Sequence, residues 1–213
     1  MIEIRYAEIR NESKTIISKY LPLLPDAMQN RIRQFKFLKD AKLCLLGKLL
    51  LREGLRSFGF ESQALEALQY TTYNRPYLDN DIVFNISHSG SIALVALAKR
   101  MQLGVDIEEV KPIDITDFHD LFTQPELNSI YNAKQPIQQF FTLWTQKEAL
   151  IKADGRGLNV ELSQVKVLKT PAKVEDRPWH LTVLPIHQQY TAHLATKKLV
   201  AIDQIRIERI DFE

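Results

Sequence analysis

Two long segments of helix-period apolar residues, each followed by short strand-period runs, restrict the architectures open to this chain. In the first, from about Asp26 to Phe58, Phe35, Leu38, Leu43, Leu46, Leu49 and Leu50 recur near helical spacing, and Gly54 or Gly59 is placed to end the helix. The second begins near Pro136 and runs to about Asp154, where Gly155 suits the C-cap. A shorter helix start precedes it at Thr123-Gln124-Pro125-Glu126, where Thr123 and Glu126 have the spacing of a capping box. Strand-like runs cover residues 2–9, Ile82 to Ile86, Ser91 to Ala98, Gly104 to Glu108, Val165 to Leu168, His180 to Leu184, Thr191 to Ala195 and Val200 to Ile207. Ser87-His88-Ser89-Gly90 reads as a polar hairpin turn. This order predicts an α+β fold of two similar subdomains, residues 1–103 and 104–213, each a helix packed on a small antiparallel sheet.

Bulk properties remove several classes of function. The 28 basic and 26 acidic residues leave a formal net charge of +2, so charge gives no nucleic-acid or membrane signal. Cys44 is the single cysteine, which excludes an intrachain disulfide. Met1-Ile2-Glu3-Ile4-Arg5 has no apolar signal core. No apolar run approaches the ~20 residues needed to span a bilayer. A cytoplasmic protein with neither a nucleic-acid nor a membrane partner is expected.

The chemistry-bearing residues fall in two segments. In Gly104-Val105-Asp106-Ile107-Glu108, strand alternation puts Val105 and Ile107 on a core face and Asp106 and Glu108 together on the other. Two acids at i and i+2 on a stiff strand make a good Mg²⁺ pair, because that ion prefers one or two carboxylates plus phosphate oxygens and water. On the helix from Pro136, Phe140, Leu143, Trp144, Leu150 and Ile151 form one apolar stripe. Lys147 interrupts that stripe; it either snorkels or is held by an acid or a phosphate. Glu148 and Lys152 share a face at i and i+4, and bring a third acid and a cation.

Each of these features also has a plainer reading. An isolated Asp-x-Glu arises from strand alternation alone. Glu148 and Lys152 make an ordinary surface ion pair. His88 is a turn residue, although a Ser-His-Ser-Gly turn also gathers donors for an anion. Arg31, Arg33, Lys36, Lys39, Lys42 and Lys48 decorate the first long helix as a solvated face, or one or two of them contact phosphate. Phosphate-binding glycine loops, nucleophile-elbow motifs and paired cysteines are absent.

Taken together, Asn85-Ile86-Ser87-His88-Ser89, the Gly104–Glu108 segment and Trp144-Thr145-Gln146-Lys147-Glu148-Ala149-Leu150-Ile151-Lys152 resemble the motif series of the 4′-phosphopantetheinyl transferases. The resemblance is to the larger Sfp-type branch, in which one chain carries both halves, and it extends over most of this chain. It implies a pseudo-two-fold monomer with coenzyme A bound between the halves. It also implies transfer of phosphopantetheine to a serine of an apo acyl or peptidyl carrier protein, with release of adenosine 3′,5′-bisphosphate. Asp106, Glu108 and Glu148 would then hold Mg²⁺, for which Mn²⁺ may substitute. Glu148 would take the serine proton, and Lys152 would stabilise the leaving phosphate. Ser87 and His88, assisted by Arg31, resemble the contacts to the 3′-phosphate and pyrophosphate of coenzyme A, and Arg75 those beside the adenine and ribose. Met28 and Cys44 depart from the family pattern, at places where relatives often carry a lysine and a hydroxyl. Glu126 resembles an acidic position near the family's metal site, and its capping box explains it equally well.

Overall fold

The computed structural model describes residues 1–10 and 15–212, the side chains of Ser62 and Leu158 aside. In chain order the regular elements are β1 (Ile2–Glu8), α1 (Thr15–Tyr20), α2 (Asp26–Arg33), α3 (Leu38–Ser57), β2 (Gln69–Tyr70), β3 (Pro76–Tyr77), β4 (Ile82–Ser89), β5 (Ile92–Lys99) and β6 (Leu103–Glu109). They continue as α4 (Gln124–Tyr131), α5 (Pro136–Asp154), β7 (Val165–Lys166), β8 (Ala172–Val174), β9 (Arg177–Val183), β10 (Tyr190–Thr196) and β11 (Ile205–Arg209). The chain divides into two compact units, Met1–Arg100 with Ile205–Glu213, and Met101–Gln204. Among the described residues, no helix is long and apolar enough to cross a membrane.

The first unit is a four-stranded sheet in the order β11-β1-β5-β4, with α3 packed on it. Leu45, Leu46, Leu49 and Leu50 of α3 and Val95 and Leu97 of β5 belong to one buried core. At roughly 1.5–3 kcal/mol for each large apolar side chain buried, this interface dominates the stability of the unit. Two expectations change here. The helix from Asp26 to Phe58 is two helices, because the apolar period slips between them: Ile32 is buried, whereas Phe35 and Phe37 are 38% and 61% exposed. Of the two glycines placed to end this helix, Gly54 lies inside α3 and Gly59 is the one that ends it, in the left-handed conformation at φ 87° just past the C-cap Phe58. The last strand does not stay with residues 104–204. β11 pairs parallel with β1, with Ile4 opposite Ile207, so the first unit is built from two segments of the chain and this sheet is mixed rather than antiparallel.

The second unit is an antiparallel sheet in the order β6-β10-β9-β8-β7, with α5 laid across β6 and β10. Phe140, Leu143, Leu150 and Ile151 of α5 share a core with Val165, Val174 and Trp179. Both ends of α5 are as expected. Pro136 opens it, and Gly155 closes it in the left-handed conformation, φ 89°. The capping box of α4 is formed by Thr123 and Glu126.

Candidate active site

Gly104 sets how closely α5 can lie on β6. A Cβ there would fall 2.8 Å from Ala153 Cα, and closer still to Ala153 N and Ala149 O. With only hydrogen at this position, the helix backbone rests directly on the strand. Asp106 lies two residues along on the same face of β6. Lys152 Nζ donates to its Oδ1 at 2.5 Å. The face of β6 expected to be the polar one is therefore the face under α5, and Asp106 is 2% exposed. Glu148, one helical turn before Lys152, is half-buried. Burial pushes its carboxyl above the ordinary carboxylate range; the Lys152 ammonium opposes this and the Asp106 charge adds to it. Glu108, also half-buried, is two residues beyond Asp106 on β6.

Among the described residues, no three His, Cys, Asp or Glu side chains are gathered as a group able to hold a metal. The chemistry of the donor set fits Mg²⁺ all the same. Asp106, Glu108 and Glu148 offer only carboxylate oxygens, the donors of a hard divalent cation. Burial disfavours the negative charge of Glu148, a cost that a bound cation offsets.

Lys147 settles into a different role. It is fully buried, and its ammonium reaches Glu126 Oε2 at 2.8 Å, Leu162 O at 2.8 Å and Val165 O at 3.1 Å. Three acceptors satisfy its three N–H donors. Lys147 is thus held by an acid, the one that also accepts the Thr123 backbone N–H at 2.8 Å. This contact ties α5 to α4 and to the approach to β7.

A buried polar layer under α5 escaped the sequence reading. Thr145 Oγ1 and His193 Nδ1 are 2.7 Å apart, and Thr191 Oγ1 donates to Phe141 O at 3.2 Å. In register, His193 lies opposite Asp106 and Thr191 opposite Glu108. Burial lowers the His193 pKa to about 4, which keeps the ring neutral at pH 7. A readable signal existed: Thr191 and His193 are a polar pair at i and i+2, alternating with Ala192 and Leu194.

The other expected site residues lie in the first unit. Ser87 and His88 are on β4, not in a turn; the strand runs to Ser89, and the turn is Gly90-Ser91, with Gly90 at φ 57°. By strand alternation His88 shares the face of Ile82 and Phe84 and Ser87 lies on the other; the burial does not follow that alternation to the strand's end, where Ser87 is buried and His88 exposed. The expected turn cradle is therefore not formed. Arg75 closes the turn between β2 and β3, where its backbone N–H donates to Thr71 Oγ1 at 3.2 Å. Arg31 borders a cavity with Met28 and Cys44.

Residues 102–203 match the sequence profile of the 4′-phosphopantetheinyl transferase superfamily, and residues 11–100 that of the 4′-phosphopantetheinyl transferase N-terminal region. The 4′-phosphopantetheinyl transferase gsp of Aneurinibacillus migulanus is 31% identical over 166 residues, 76% of this chain and 70% of the relative. The chain belongs to the 4′-phosphopantetheinyl transferases. Within them it is of the Sfp type. A Bacillus subtilis 4′-phosphopantetheinyl transferase is 34% identical over 145 residues, covering 65% of this chain and 63% of that one. The 4′-phosphopantetheinyl transferase Sfp of Bacillus subtilis strain 168 is 29% identical over 155 residues, covering 70% and 68%. As in the transferase profiles, the division in this chain falls at about residue 100.

Proposed function

We propose that this transferase moves 4′-phosphopantetheine from coenzyme A to a serine of an apo acyl or peptidyl carrier protein, with release of adenosine 3′,5′-bisphosphate, and that it needs Mg²⁺. The observation that carries the reading is the convergence of Asp106, Glu148 and Lys152 where α5 meets β6 over Gly104. Asp106, Glu108 and Glu148 would hold Mg²⁺, which supplies charge neutralisation at the pyrophosphate; Mn²⁺ shares the preference for oxygen donors. Glu148, whose carboxyl holds a proton more readily than an ordinary carboxylate, takes the proton of the serine hydroxyl. The serine oxygen forms its bond to phosphorus as the pyrophosphate P–O bond breaks. The electron pair departs on the bisphosphate, where Lys152 offsets the new charge. In the first unit, Arg31, Ser87 and His88 are assigned to the phosphates of coenzyme A and Arg75 to its adenine and ribose. A single chain carries both sets of residues, so a monomer is expected to be active. Incubation with Mg²⁺, coenzyme A and a panel of apo carrier proteins, read by intact mass, tests the reading. The expected result is one phosphopantetheine added to a carrier serine; a panel in which no carrier gains mass refutes it.

A further inference from the structure

The first unit holds a cavity of about 170 Å³ lined by Met28, Arg31, Cys44, Lys48, Glu66 and Tyr70, among others. Two cations from different helices border it, Arg31 from α2 and Lys48 from α3. Both stand close enough to Cys44 to pull on its thiol, which burial otherwise pushes up. Lys48 is half-buried. Burial, more than any neighbour, holds its ammonium below the ordinary lysine range, and the Arg31 charge adds to that. Burial, the Cys44 thiol and the Arg31 charge are what act on Lys48, with no carboxylate among them, although Glu66 is on the same wall. A desolvated ammonium beside a guanidinium in a concave site is unfavourable by itself and is relieved by a compact anion. The remaining wall offers little else to such an anion: Met28 has no donor, and a thiol is a weak one.

We propose that Lys48, together with Arg31, holds the 3′-phosphate of the coenzyme A donor, and so determines the preference for coenzyme A over dephospho-coenzyme A. The proposal rests on the function proposed above. Lys48 lies one helical turn beyond Cys44 on the same face of α3. It supplies the second cation from α3, whereas position 28 of α2 holds a methionine.

The test compares wild type with Lys48→Met, which keeps the stem and removes the charge, and Lys48→Arg, which keeps the charge. Loss of one charge-assisted contact should raise KM for coenzyme A about tenfold or more, raise KM for dephospho-coenzyme A less, and leave kcat nearly constant. A second readout needs no turnover. Adenosine 3′,5′-bisphosphate should raise the melting temperature of wild type more than 5′-AMP does, and Lys48→Met should abolish that difference while Lys48→Arg retains it. Without nucleotide, Lys48→Met should melt no lower than wild type, because folding disfavours the ammonium it removes. An unchanged donor ratio, equal losses with both nucleotides, or a wild type that does not distinguish them overturns the role of Lys48. A wild type that modifies no carrier overturns the proposed function instead, and the nucleotide measurement still decides the role of Lys48.

Discussion

Replacing Gly104 by alanine should damage stability and catalysis together. The added methyl would meet backbone, Ala153 N and Cα and Ala149 O, so no side-chain rotation can relieve the overlap. Ordinary contacts between such atoms need about 3.5–4.0 Å, so α5 must back away from β6 by on the order of 1 Å. Overpacking of this kind costs about 1–3 kcal/mol, and the rigidity of the neighbours puts Gly104→Ala toward the upper end. For a chain of this size the melting temperature should fall by roughly 5–10 °C. The same displacement carries Glu148 and Lys152 away from Asp106, and a misplacement of about 1 Å can cost roughly 10²-fold in rate. The control is Gly54→Ala in α3, whose methyl would press on the movable side chain of Leu97 and on none of the acids of β6. Differential scanning fluorimetry and intact-mass turnover of an apo carrier measure both effects. A Gly104→Ala protein that melts with wild type and turns over at the wild-type rate would refute the close-packing argument.

Three further outcomes are expected. Glu148→Gln should stay folded and lose about 10²–10⁴-fold in kcat, the usual range for a general base; near-normal turnover would reduce Glu148 to a partner of the Lys152 charge. EDTA should stop transfer and Mg²⁺ or Mn²⁺ restore it, with Asp106→Asn needing more metal for half-maximal rate; activity that survives chelation would remove the carboxylates from metal binding. The folded chain resists protonation of His193, from the ordinary 6.5 down to about 4. The unfolded chain therefore takes up the proton first, and stability falls as pH drops through that window. At about 1.4 kcal/mol per pH unit, the loss approaches about 3 kcal/mol near pH 4. Urea denaturation at pH 7 and pH 4.5 should show a smaller acid loss in His193→Gln than in wild type, and equal losses would show that this ring is not the responsible group.

What could be read from the sequence was mainly what local chemistry controls. Pro136, Gly155, Thr123 and Glu126 mark helix ends through their own backbone and side-chain preferences, and the structure places those ends as read. The α+β plan followed from two switches of hydrophobic period. Long-range pairing was not legible. Val200 to Ile207 has a strand's composition wherever it pairs, and nothing local says that Ile207 meets Ile4. Ser87 to Gly90 misled for a related reason: serine, histidine and glycine are turn-forming residues, but the ladder to β5 carries the strand through Ser89. At the candidate site, Asp106, Glu148 and Lys152 were legible from strand and helix periods. The partner of Lys147 was not, because Glu126 is 21 positions away and their meeting depends on how α4 packs on α5.

The pairing of β11 with β1 also affects the order in which the chain can complete its parts. Residues 101–204 are one unbroken segment, so every strand of the second unit has left the ribosome once Gln204 has. The first unit lacks a flanking strand at that moment. Until Ile205–Arg209 arrives, β1 presents a bare backbone edge bearing Ile2 and Ile4, both buried in the finished fold. An uncovered apolar edge is where pairing with another chain begins. A nascent chain is open to that error during the interval in which the second unit is being made, and a chain cut after Gln204 would keep the edge for its whole life.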